Sequence, residues 1–234
     1  MAAQPWLVEA NYKILQWLFR IVRHRSFSDT LVDFLTFNHL VSTWVFSAVF
    51  YVYWQLKDGQ TKWRRVRLTQ VVVAFVIAVI VTLVVRPWIN WPAPSLNPRF
   101  QPLYPAYFWG NGSYDSFPSH ATLAYIMIAL GVWVINRRLS LVLIAVVLVL
   151  ISFPRMFVGG HYPIDVLASL VLGTVMVIVS WRWQLPTRIS EWLVQEGRAS
   201  IWRELLVIFW VFELGEEFRG ITNFAAHVAH YYLH

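Results

Sequence analysis

One run of eleven residues, Arg155-Met-Phe-Val-Gly-Gly-His161-Tyr-Pro-Ile-Asp165, puts a guanidinium, an imidazole and a carboxylate close together in the chain. Gly159 and Gly160 break the apolar run before them. Pro163 can open the next helix as a first-turn residue, where its missing N–H costs nothing. Asp165 then falls in the first helical turn, with His161 just outside it. A carboxylate at that offset can reach back to the imidazole, hold one tautomer and make the other ring nitrogen the better base or nucleophile. Arg155 adds a planar cation suited to phosphate. Charged groups at the mouth of an apolar helix are costly unless they serve a purpose, so this run is the first candidate for a functional site.

The elements around it must be read from a strongly apolar chain. Of 234 residues, 58% are hydrophobic and only 13% charged, about half the charged share usual in a soluble domain. Mean hydropathy is +0.54, and several runs approach the ~20 apolar residues that cross a bilayer. The expectation is an all-α integral membrane bundle. The net charge of +7 comes from 19 Lys and Arg against 12 Asp and Glu. In such a protein a basic excess marks cytoplasmic loops and anionic headgroups. A nucleic-acid partner is not expected, since no basic stretch is free of apolar runs. The absence of Cys excludes disulfides, thiolate metal sites and Cys nucleophiles. Glu9, Lys13 and Arg20 interrupt the first apolar residues too early for a cleavable signal.

Three regions follow. Residues 1–27 carry an amphipathic helix, 5–23, suited to the interface. Residues 28–183 form the membrane core, with about five spans: 34–55, 68–85, 118–134, 139–153 and 164–181. Residues 184–234 form an interfacial helical tail, where 205–214 is apolar but short, with Glu213 near its end and Glu216 and Glu217 after it. The basic loop Lys57–Arg67 and the pair Arg137-Arg138 fall on one side, which should be cytoplasmic. Arg86, Ser119-His120, Arg155, His161 and Asp165 all fall on the other. There, residues 88–117 form a loop with five Pro, which block regular helix, and many aromatics, read as a belt at headgroup depth. His39 reads as structural. His227, His230 and His234 share a helical spacing, but no carboxylate partners accompany them.

Three short segments thus converge on one membrane face: Arg86-Pro87, Phe117-Pro118-Ser119-His120 and Arg155-x5-His161-x3-Asp165. Together they resemble the type 2 phosphatidic acid phosphatase superfamily, whose motifs are Lys-x6-Arg-Pro, Pro-Ser-x-His and Ser-Arg-x5-His-x3-Asp. The resemblance covers about residues 30–182. The third motif matches in every spacing, with Pro154 in place of the Ser. Two departures stand out. The family Lys falls on Val79, and Ser119 and His120 are adjacent, so the middle motif is one residue short.

The resemblance implies a lipid phosphate or diphosphate phosphatase, facing the non-cytoplasmic (periplasmic) side of a bacterial inner membrane. In it His161 attacks phosphorus and becomes phosphohistidine, Asp165 orients it, and His120 protonates the leaving oxygen. Arg86 and Arg155 hold the equatorial oxygens, and Ser119 with the amides of the helix start adds donors. No metal and no other cofactor is implied. A polyprenyl diphosphate such as the cell-wall carrier lipid is the first substrate expected, and a phosphatidate-like lipid the second. Two alternatives stay open. Asp115-Ser-Phe-Pro and Phe153-Pro154-Arg155 look similar to the family branch that transfers phosphate from a carrier diphosphate to lipid A. The missing Lys and the shortened motif fit a non-catalytic binder of lipid phosphate.

Overall fold

The computed structural model describes residues 5–21, 26–37, 45–89, 91–109 and 116–194. Among these the chain is helical, without a strand. The helices are α1 (Pro5–Ile21), α2 (Ser26–Phe37), α3 (Val45–Gln55), α4 (Thr61–Ile89), α5 (His120–Trp133), α6 (Arg137–Val146), α7 (Phe153–Phe157), α8 (Pro163–Arg182) and α9 (Gln184–Val194). A π-helical stretch, Val147–Ser152, joins α6 to α7.

Three helical stretches are long and apolar enough to cross a membrane: Thr61–Thr82, Arg137–Phe157 and Pro163–Arg182. The expected count of about five is therefore not reached among the described residues. α5 is apolar, but its 14 residues cover roughly 21 Å against a hydrocarbon core of about 30 Å. The run 34–55 contains the end of α2 and all of α3, and residues 38–44 between them lie outside the described residues. So do residues 195–234, with the apolar run 205–214 and His227, His230 and His234.

α4, α5 and α8 share one apolar core with α3 and α6, built on Phe46, Phe50, Phe75, Leu123, Met127, Val147 and Ile151. Gly173 lets α8 approach α5: a Cβ there would stand 2.7 Å from Ile126 Cγ2. The hairpin between α3 and α4 is closed at its basic end by Arg64, which donates to both oxygens of Asp58 at 2.9 and 3.1 Å, to the Tyr53 carbonyl at 2.8 Å and to the Leu56 carbonyl at 2.7 Å. The Arg64 guanidinium, helped by the Gln60 N–H, holds the Asp58 carboxyl below its ordinary pKa.

A second, smaller core lies at the opposite end, made by Leu15, Val32, Phe100, Tyr104, Phe108, Phe157, Val158 and Tyr162. Part of loop 88–117 belongs to it. Phe100, Tyr104 and Phe108 are buried, whereas Tyr107 and Trp109 are exposed. Three short 3₁₀ turns, Pro94–Leu96, Gln101–Leu103 and Ala106–Phe108, wind residues 91–109 into a cap. α1 packs on that cap through Tyr12 against Phe100 and Phe19 against Tyr104 and Phe157. Its Trp6, Trp17 and Ile21 remain exposed.

Candidate active site

The segment that carries His161 is shaped by its own backbone. α7 ends at Phe157, and Gly159 turns the chain at φ +78°, a conformation that glycine adopts without steric cost. The cap also leaves no room for a side chain there: a Cβ would stand 2.9 Å from Ser95 Cβ, and Ser95 N–H bonds the Gly159 carbonyl at 3.0 Å. The Arg155 carbonyl then receives both Gly160 N–H at 2.9 Å and His161 N–H at 3.2 Å. That closes the loop and fixes where His161 sits. α8 starts at Pro163 as the sequence predicts, and Tyr162 N–H donates to Asp165 Oδ2 at 2.9 Å.

The ring of His161 is oriented by two acceptors. Its Nδ1 lies 2.8 Å from the carbonyl oxygen of Ser116 and 3.7 Å from Asp165 Oδ2. A carbonyl can only accept, so Nδ1 carries the proton of this bond. In the neutral ring Nε2 is then the nitrogen with a free lone pair. The expected reach of Asp165 toward the imidazole is present as a close approach, while the hydrogen bond itself goes to the backbone. Asp165 is fully buried. Beside it, burial raises the Tyr162 phenol to about 12, against the lowering effect of the Asn97 hydrogen bond. Burial likewise raises Tyr104.

The other predicted residues occupy neighbouring helix ends. His120 is the first residue of α5, and its Nε2 lies 3.4 Å from Thr82 Oγ1. The Thr82 hydroxyl donates to the Val79 carbonyl at 2.8 Å, so toward His120 it acts as an acceptor. Ser119 stands at the N-cap position but makes no side-chain capping bond. It is buried, and its hydroxyl pairs with Thr122 at 3.0 Å. Thr122 continues to Ser152 at 3.0 Å, tying the start of α5 to the π-helical stretch. Arg155 is buried on α7, and its Nη1 donates to the Ile151 carbonyl at 3.2 Å. Arg86 stands on the last turns of α4, and its side chain lies outside what is described. Val79 is buried in the main core. Among the described residues no three His, Asp or Glu gather as a metal site would require.

Pro154 accounts for the π-helical turn that precedes Arg155. It has no N–H to offer the carbonyl four residues back, and its ring crowds that carbonyl. A widened turn absorbs the mismatch, and one follows in Val147–Ser152. Four participants escaped the sequence reading: the Ser116 carbonyl, Thr82, the Thr122–Ser152 pair, and Asn11 on α1, whose Oδ1 accepts from Ile164 N–H at 3.1 Å. A backbone oxygen leaves no mark in sequence. A hydroxyl residue in an otherwise apolar span, as at Thr82 and Thr122, is the one signal that was there to find.

A sequence model of the PAP2 superfamily matches residues 67–189. Undecaprenyl-diphosphatase BcrC of Bacillus subtilis (strain 168) is 26% identical over 177 residues, which cover 74% of this chain and 83% of that protein. Putative undecaprenyl-diphosphatase YbjG of Escherichia coli (strain K12) is 31% identical over 104 residues, 43% of this chain and 52% of that protein. No solved structure gives a significant match. The matched region holds all three motif segments and more than half of the chain, so the chain belongs to the PAP2 superfamily, the phosphatase superfamily its motifs resemble.

Proposed function

We propose that this protein hydrolyses a polyprenyl diphosphate, such as undecaprenyl diphosphate, to the lipid monophosphate and inorganic phosphate. Membership of the PAP2 superfamily and similarity to two proteins named as undecaprenyl-diphosphatases support the substrate class. The observation that carries the mechanism is the bond from His161 Nδ1 to the Ser116 carbonyl, which leaves Nε2 as the nucleophile. Nε2 attacks the terminal phosphorus. The N–P bond forms as the bond to the bridging oxygen breaks, and His120 gives that oxygen its proton. Water then adds to the phosphohistidine, His120 takes its proton, and phosphate leaves. Arg86 and Arg155 neutralise the equatorial oxygens, with the helix start at Ser119 adding donors, so the reaction runs without a metal.

In this reading residues 28–183 are the membrane core, with about five spans once α2–α3 and α5 are counted, and 1–27 and 184–234 lie at the interface. Lys57, Lys62, Arg64, Arg65, Arg67, Arg137 and Arg138 sit at the end of the bundle away from His161. That asymmetry supports a cytoplasmic basic end and an extracytoplasmic site in a bacterial inner membrane.

The test is phosphate release from farnesyl and undecaprenyl diphosphates by the protein in detergent, with His161→Ala as the blank. Wild type should turn over in excess EDTA, and His161→Ala should lose about ten-thousandfold or more. Undiminished release by His161→Ala would end the phosphohistidine mechanism. A lipid A-like acceptor in the same assay separates hydrolysis from transfer.

A further inference from the structure

The first turn of α8 carries Asp165, and its backbone donors can be followed one by one. Pro163 has no N–H. Asp165 N–H and Val166 N–H both go to the Tyr162 carbonyl, at 3.0 and 3.3 Å. Ile164 N–H is the first-turn donor that this pattern leaves over, and buried backbone donors without an acceptor are rare in folded proteins. It is taken from outside, by Asn11 Oδ1 at 3.1 Å. Asn11 lies 153 residues away in the chain, beyond the part that matches the superfamily.

Asn11 is built in rather than resting on the surface. It is 2% exposed, an unusual place for an amide side chain unless it is hydrogen-bonded. Its other end is fixed as well, since Nδ2 donates to the Leu7 carbonyl at 3.0 Å within α1. α1 in turn is anchored on the cap. Glu9 pairs with Arg99, Tyr12 meets the edge of Phe100, and Leu15 is fully buried. Asn11 therefore joins a firmly docked helix to the peptide N–H immediately before Asp165. The carboxylate needs that support. Its Oδ2 holds Tyr162 N–H and stands 3.7 Å from His161 Nδ1, while Oδ1 is buried and meets no donor among the described residues. A small shift of the turn changes the distance over which Asp165 acts on the imidazole.

We infer that Asn11 is a positioning residue for the Asp165–His161 pair, and that α1 is thereby a working part of the catalytic unit. The inference rests on the phosphatase reading. The two bonds of Asn11 allow it to be tested apart from any role in folding α1. Positioning uses Oδ1, which Asn11→Asp keeps. The bond inside α1 uses Nδ2, which Asn11→Asp loses. Asn11→Leu loses both.

The experiment measures kcat and KM with farnesyl diphosphate for the full chain in detergent, comparing wild type, Asn11→Leu, Asn11→Asp and His161→Ala. Misplacement of a catalytic group by about 1 Å costs on the order of a hundredfold. Asn11→Leu should therefore lose about tenfold to a hundredfold in kcat with KM changed less than about twofold, and Asn11→Asp should stay within roughly threefold of wild type. Wild-type kcat in Asn11→Leu overturns the inference, and so does an equal loss in both variants, which would assign Asn11 to the integrity of α1. If Asn11→Leu elutes as an aggregate, Asn11→Asp decides: near-wild-type kcat supports positioning, and a loss of about a hundredfold overturns it. A wild type that releases no phosphate removes the phosphatase reading and this inference with it. An active wild type beside a dead His161→Ala and a normal Asn11→Leu removes the inference alone.

Discussion

Two histidines stand at two helix starts, and their surroundings differ. His161 enters α8 with its backbone N–H on the Arg155 carbonyl, its ring on the Ser116 carbonyl at 2.8 Å and a buried carboxylate 3.7 Å away. The turn that follows has its own internal bonds and an outside acceptor in Asn11. His120 enters α5 behind an N-cap residue whose side chain makes no capping bond, and its Nε2 meets the Thr82 hydroxyl at 3.4 Å. The difference fits the proposed roles. A nucleophile must present one nitrogen along one line, so its ring is held before substrate arrives. A general acid must give up and recover a proton while the leaving group departs, and such bonds tighten only in the complex.

A large loss is expected from Asp165→Asn. Where a carboxylate alone sets the tautomer of a catalytic His, this change costs about ten-thousandfold. Here the Ser116 carbonyl already holds the Nδ1 proton, so in the proposed mechanism Asp165 serves to stabilise positive charge on the ring. The expected loss in kcat is about a hundredfold to a thousandfold, with Tyr162 N–H still bonded by the Asn oxygen and the fold unchanged by circular dichroism. A ten-thousandfold loss would show that the carbonyl does not fix the tautomer.

A smaller effect is expected at His120. Thr82→Val removes an acceptor from His120 at nearly constant volume. One hydrogen bond of this kind is worth about 1 kcal/mol, roughly fivefold in kcat. With an aryl phosphate, whose leaving group needs little protonation, the loss should shrink toward none. An equal loss on both substrates would detach Thr82 from proton donation.

These contrasts also show what the sequence makes legible. Arg155, His161 and Asp165 are readable because their spacing straddles a Gly-Gly break and a helix-opening Pro, and local backbone geometry carries the spacing into space. His120 is readable by type and by its place at a helix start. The rest depends on non-local packing. Asn11 looks like one more polar residue on an amphipathic helix until α1 is seen docked on α8. Phe100, Tyr104 and Phe108 look like headgroup aromatics until the 3₁₀ turns fold them inward. The π-helical turn before Arg155 follows from Pro154, but nothing in the apolar run Val147–Ser152 marks it. The three helical stretches of spanning length are plain in the hydropathy. The boundaries at α5 are less so, because Pro118 reads as a helix start and the helix begins two residues later.

The least effect on catalysis is expected at the opposite end of the bundle. Asp58, paired with Arg64, has a folded-state pKa below its ordinary value. Its contribution to stability is present above the unfolded carboxyl pKa and is lost as pH falls through the lowered folded value. Thermal melts of wild type and Asp58→Asn should therefore differ at neutral pH and converge in acid, with kcat equal throughout. Melts that differ equally at all pH values would contradict the pairing.

In the proposed reaction His161 Nε2 takes the phosphoryl group because Nδ1 is tied to the Ser116 carbonyl. Rapid quenching in base during turnover of radiolabelled farnesyl diphosphate, followed by proteolysis and separation of the two phosphohistidine isomers, tests it directly. The expected result is label on His161 as the Nε2 isomer, absent from His161→Ala. Label on Nδ1, or on no histidine while phosphate is still released, would contradict it.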